Sequence, residues 1–124
     1  MIAILSVKDP DKKQEICRKA GVPYHEDLHV IASFEDGKMM YGAVFEICRE
    51  EGTIHWIDAS GDDFSVSEGL GKAVLNIMDL RGVKKAFMPL SMEKLAAPLR
   101  FSKKEGRYEV EITGYFSCGC DHKK

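Results

Sequence analysis

Three groups of residues in this chain carry side chains that could do chemistry. His55 and Asp58 stand three apart in Thr53-Ile-His-Trp-Ile-Asp-Ala59, and Glu46 precedes them on a neighbouring apolar stretch. An imidazole or a carboxylate so placed is the kind of group that takes a proton from an attacking nucleophile. The second group is Cys118-Gly-Cys120-Asp-His122. In an extended chain, side chains alternate, so both thiols and the imidazole would share one side. They could then bind a soft divalent metal such as zinc, with a fourth ligand from elsewhere or from water. The thiol pair could equally act as a redox dithiol. Against both stands the single intervening residue, which strains a chelate, and a solvated terminus beside Lys123 and Lys124. The third group is Gly69-Leu-Gly71, within the stretch Ser65 to Leu75 that joins a strand to a helix. Glycines there let backbone amides approach a phosphate, and the helix dipole adds positive potential. The same stretch has a structural account, because Ser65-Val-Ser-Glu68 fits a capping box. Asp62, Asp63 and Glu68 flank it, with Lys72 the nearest cation. Two unit charges 4 Å apart interact by about 1 kcal/mol even in bulk water, so these acids oppose an anionic ligand.

The elements that must position these residues read as follows. Residues 1–6 form a short strand. Asp9-Pro10 starts a helix, since Asp caps free amides and Pro is pre-set for the first helical position. That helix turns Ile16, Cys17 and Ala20 inward and ends at Gly21, with Pro23 beyond. A meander follows: His29 to Phe34, a two-residue turn at Asp36-Gly37, Met39 to Cys48, a turn around Glu50 to Gly52, and Thr53 to Ala59. Alternation puts Ile54, Trp56 and Asp58 on one face and His55, Ile57 and Ala59 on the other. His55 and Asp58 therefore reach one substrate only if a bulge interrupts the strand. After a loop at 60–63, Leu70, Ala73, Val74, Ile77 and Met78 recur at helical spacing, and Gly82 stops the helix behind Arg81. Val83 to Met88 is a strand, Met92 to about Leu99 a short helix, and Tyr108 to Ile112 an alternating strand. The order is β-α-β-β-β-α-β-α-β. It predicts an α/β (α+β) domain with a mixed, mostly antiparallel sheet flanked by helices. Trp56, Phe45, Phe87 and Phe101 are the aromatics such a core requires.

Composition sets the bounds. The chain has 124 residues, 44% of them hydrophobic, which suits one domain with one core, over residues 1–116, followed by the Cys/His-bearing tail 117–124. Eighteen basic against 20 acidic side chains give a formal charge of −2, which excludes a dedicated nucleic-acid binder. The basic pairs Lys84-Lys85 and Lys103-Lys104 are short and interrupted by acids, as solvated edges are. No apolar run approaches the roughly 20 residues that cross a bilayer. A cytoplasmic protein with reduced cysteines is the expectation, with a homodimer open.

Meander, Gly-x-Gly, amphipathic helix, Arg81-Gly82-Val83-Lys84-Lys85 into a strand, then a helix ending Pro98-Leu-Arg-Phe101: this arrangement resembles the GNAT acetyltransferase superfamily. The hairpin Asp36-Gly37-Lys38 with Tyr41-Gly42-Ala43 looks like that family's second and third strands. Leu99-Arg-Phe101-Ser-Lys-Lys resembles its Leu-Gly-Phe element. The resemblance covers most of the chain. It implies acetyl-coenzyme A as donor and an amine, on a small molecule or a protein, as acceptor. It implies that Val66, Ser67, Gly69, Leu70, Gly71 and Lys72 hold the pyrophosphate, and that strand amides from Ile57 to Ala59 polarise the thioester carbonyl. It implies a general base from His55 or Asp58. Val66 stands where the family has Arg or Gln, Arg100 where Gly is usual, and Ala96 where many members carry the tyrosine that protonates the leaving thiolate. One helix replaces the usual two in the amino-terminal region that shapes the acceptor site. These departures keep open a catalytically inactive GNAT-like binding module, and the tail keeps open a metal or redox protein.

Overall fold

The computed structural model describes residues 2–58 and 64–115. Strand β1 (Ile2–Ser6) leads into helix α1 (Pro10–Ala20). Asp9 caps that helix, its carboxylate accepting the Asp11 amide at 3.0 Å. At the far end Gly21, at φ +75°, closes it with its own amide on the Arg18 carbonyl and the Val22 amide on that of Cys17. The meander is β2 (His29–Glu35), β3 (Lys38–Cys48) and β4 (Glu51–Ile57). Asp36 and Gly37, at φ +54° and +80°, make the two-residue turn whose twist matches the flanking strands. Helix α2 (Phe64–Leu80) crosses to β5 (Lys85–Pro89), and a 3₁₀ turn at Leu90–Met92 runs into the short helix α3 (Glu93–Ala96). The hairpin of β6 (Ser102–Lys104) and β7 (Arg107–Glu111) ends the described chain.

The strands form one sheet in the order β1-β2-β3-β4-β5-β7-β6. Among the described strands only β4 and β5 run parallel, as a helical crossover requires; their neighbours are antiparallel. Helices α2 and α3 cover one face, burying Phe45, Ile54, Ile57, Leu70, Val74, Met78 and Leu99 between them and the sheet. Helix α1 covers the other, with Ile16 and Cys17 packed on Val30, Ala32 and Val44. The expected mixed sheet with helices on both faces is therefore present. Among the described residues, no helix is long and apolar enough to cross a membrane.

Three expectations need correction. The hairpin strand β6 is additional to the predicted order. Its three residues are all exposed at the sheet edge, so no alternation marks it. Gly69 and Gly71 do not form a loop ahead of the helix; α2 starts at Phe64 and holds both inside its second turn. By the same token Ser65 is an internal residue of the first turn, not a cap. Finally, β4 does not alternate cleanly. Val44 pairs with Trp56 and Phe45 with Ile54, so His55 is the extra residue of a β-bulge.

Candidate active site

The bulge and the sheet topology together build a cleft. The parallel ladder between β4 and β5 ends at Thr53 opposite Phe87, while β4 runs on to Ile57 and β5 to Pro89. Beyond that point the two strands part, and among the described residues the edge of β4 facing β5 has no ladder partner. A cleft of about 650 Å³ opens over this parting on the α1 side of the sheet. Its floor includes Glu46, Thr53, His55 and Phe87. One wall is the connection from Gly21 through His25 to Leu28, and the other is the β6–β7 hairpin at Gly106 and Arg107.

Glu46 organises one side of the cleft. His55 Nε2 lies 3.0 Å from Glu46 Oε1, and His25 Nε2 lies 3.7 Å from Oε2 of the same carboxylate. A carboxylate only accepts, so Nε2 of His55 carries the proton and Nδ1 is left as its basic nitrogen. On the opposite side the Arg107 guanidinium stacks on the Phe87 ring, 3.7 Å from its centre. Phe87 is buried, as expected of a core aromatic, and its ring lies beneath Arg107.

Asp58 is brought to the α1 side with His55, because the bulge reverses the alternation between them. It does not line the cleft. Its side chain is 2% exposed and paired with Lys19 of α1 at 3.3 Å. Its amide bonds the Gly42 carbonyl at 2.8 Å, and its own carbonyl accepts the Ser67 hydroxyl at 2.7 Å. Asp58 thus ties α1, β3 and α2 to the end of β4, a positioning task.

The residues that the resemblance implies for the cofactor fall in varied surroundings. Ile57 and Leu70 are fully buried in the α2-side core, and Val66 packs against it. Ser67 is buried on Asp58. Gly71 faces Leu99: a Cβ there would lie 2.5 Å from Leu99 Cδ1, so this glycine lets α2 and the chain after α3 approach. Gly69 meets only Ile4, at 3.8 Å. Amides this far inside a helix are spent on carbonyls four residues back, so neither glycine offers one to a phosphate. Lys72 is paired with Glu68 at 3.1 Å, one helical turn away. Ala59 lies outside the described residues, as do Cys118, Cys120 and His122. Among the described residues no group of three side chains is suited to a metal ion.

His25 and Arg107 escaped the sequence reading. Both lie in connections far along the chain from His55, and only the pairing of distant strands brings them together. The one local signal was Glu105-Gly106, a turn pair resembling Asp36-Gly37, which would have set Arg107 at the start of a strand.

No protein-family model matches the sequence, and no curated protein does. Solved structures do match. A GNAT-family structure from Desulfovibrio desulfuricans superposes with a TM-score of 0.72 at 13% identity, covering 90% of this chain and 99% of that one. The ribosomal-protein-S18-alanine N-acetyltransferase of Escherichia coli gives 0.69 at 15% identity, over 90% and 94%. The N-acetylglutamate synthase of Neisseria gonorrhoeae, solved with coenzyme A and N-acetyl-glutamate, gives 0.68 at 11% identity, over 90% of this chain and 35% of that one. At these identities the likeness is one of fold: the chain has the fold of the GNAT acetyltransferases.

Proposed function

We propose that this GNAT-fold chain is an acetyl-coenzyme A-dependent N-acetyltransferase whose primary-amine acceptor binds in the cleft over the parting of β4 and β5. The observation that carries this reading is that parting itself, set beside the hydrogen-bonded pair of His55 and Glu46. Acetyl-coenzyme A, when bound, supplies the acetyl group as a thioester. Unladdered backbone along β4 beyond Thr53 suits an acyl carbonyl and the arm that carries it, since both need polar groups from a strand edge. The exposed first turn of α2 suits its phosphates, in place of the glycines expected to do so.

The chain's own work begins with the acceptor, which arrives as an ammonium ion. His55 takes a proton from it at Nδ1, while Nε2–H stays bonded to Glu46, whose carboxylate steadies the imidazolium that forms. The neutral amine, held against the sheet, then has its lone pair free for attack. Orientation in the cleft contributes by converting an encounter into a local event.

The test uses the full chain, a panel of amines and a thiol-release assay. Acetyl-coenzyme A and coenzyme A should each raise the unfolding temperature. His55→Gln should lower kcat by about 10²- to 10⁴-fold, the range general bases supply, with the shift by coenzyme A retained. Absence of any thermal shift with either coenzyme would sink the reading. A shift without transfer to any amine would favour the second reading, a module that binds without turnover, to which buried Ala96 and the committed amides of Gly69 and Gly71 point.

A further inference from the structure

The cleft is polarised, and its two charged sides are built differently. On one side Glu46 holds two imidazoles. On the other, Arg107 is fixed face-down on Phe87, which leaves the edge of its guanidinium free to donate. The nearest carboxylate along its strand is Glu109, but that group is taken by Lys85 at 3.3 Å. Among the described residues Arg107 has no ion-pair partner, a property it shares with the other arginines, but it is the arginine that lines the cleft with Glu46 and His55. A planar cation set over an aromatic ring, exposed and without a carboxylate among the described residues, can receive one from outside.

Spacing along the sheet says how the two sides relate. Glu46 pairs with Thr53, and Thr53 pairs with Phe87. Glu46 and Phe87 are therefore two strand spacings apart, about 10 Å. That is the separation of the backbones beneath the cleft, and an amino acid or a short peptide is of a size to lie across it between the side chains on either side.

We infer that the acceptor is zwitterionic: an amino acid or short peptide whose amine faces Glu46 and His55 and whose carboxylate is bound by Arg107. This rests on the acetyl-transfer reading for what happens to the amine, but the recognition itself does not need transfer. Binding can be measured on the full chain without acetyl-coenzyme A, by calorimetry with alanine, β-alanine and glycylglycine, each beside its carboxamide. The expected result is at least a tenfold tighter Kd for one or more acids over the matching amide. Arg107→Gln should erase that preference while leaving the circular dichroism spectrum unchanged. Arg107→Lys, which keeps the charge but loses the flat stack, should retain part of it and serves if the glutamine variant does not fold. The same pairs are then offered with acetyl-coenzyme A. Acid preference without transfer would uphold the carboxylate site and remove the transferase reading. Equal binding and equal acetylation of acids and amides would overturn the zwitterion while leaving the transferase intact. The proposal also falls if no acid binds, or if Arg107→Gln leaves the preference unchanged.

Discussion

Arg100 adopts φ +64°, a conformation that costs an ordinary side chain about 1 kcal/mol and glycine almost nothing. The position demands it: the Arg100 amide bonds Ala97 and the Phe101 amide bonds Ala96, the closing pair of hydrogen bonds after a helix end. What offsets the strain is the side chain. Its guanidinium lies 3.8 Å from the centre of the Tyr115 ring and donates through Nη2 to the Tyr115 carbonyl at 2.9 Å. The Tyr115 hydroxyl in turn donates to the Leu99 carbonyl at 2.9 Å. Arg100→Ala keeps the strain and loses these contacts, so it should cost about 1–2 kcal/mol in urea unfolding. Arg100→Gly loses the same contacts but relieves the backbone, and should cost less. Equal losses for the two variants would show that strain is not stored there. That a residue with positive φ stands at this point was legible, because Arg100 occupies a place where glycine is expected. That Tyr115 supplies the compensation was not, since it lies fifteen residues on.

At the scale of elements, the junction of β4 and α2 decides what the site can be. A bulge at His55 turns both His55 and Asp58 toward α1, and an early start to α2 draws Gly69 and Gly71 into the helix. Neither is visible locally. A bulge is set by which residues of β3 pair with β4, and nothing within Thr53 to Asp58 says so. Gly71 has a packing purpose that predicts its own test. Alanine at a helix interior is favoured over glycine by about 1 kcal/mol. Here the added methyl would meet Leu99, itself fully buried, and Ile57 at 3.4 Å. Gly71→Ala should therefore destabilise by about 1–2 kcal/mol, the overpacking penalty exceeding the propensity gain. In a Leu99→Ala background the same change should stabilise, giving a coupling of opposite sign. Additive effects in the double mutant would refute the contact.

For the molecule as a whole, stability should depend on pH through His29. Its ring stacks on Phe45 with centres 5.1 Å apart, among the end of β1, the start of α1 at Lys13 and the C-terminal end of α2 at Ile77 and Arg81. Burial lowers its pKa below the ordinary 6.5, Arg81 and Lys13 lower it further, and Asp27 and Glu46 partly oppose them. The folded protein thus binds this proton less readily than the unfolded chain. Stability from this source is complete above pH 6.5 and is lost as the pH falls from there toward the folded pKa. His29→Phe preserves a stacked ring and removes the titration. Its unfolding midpoint should fall less than that of the parent between pH 7 and pH 5, and parallel curves would exclude the assignment.

The sequence by itself determined the order of the elements, β6 and the start of α2 excepted, through Asp9-Pro10, Asp36-Gly37, Gly21 and the apolar stripe of α2, because caps, turns and periodicity act over a few residues. It also carried enough of the arrangement to indicate the GNAT fold and to name His55 as a candidate. Only the tertiary structure decided which face His55 takes, that Asp58 ties α1, β3 and α2 to the end of β4, and that Gly71 serves packing. It alone set Glu46 opposite Arg107 across a cleft. Those outcomes depend on strand pairing and on helix-to-sheet contact between residues far apart in the chain, where the free energy of burial is shared among many side chains and no short stretch holds it.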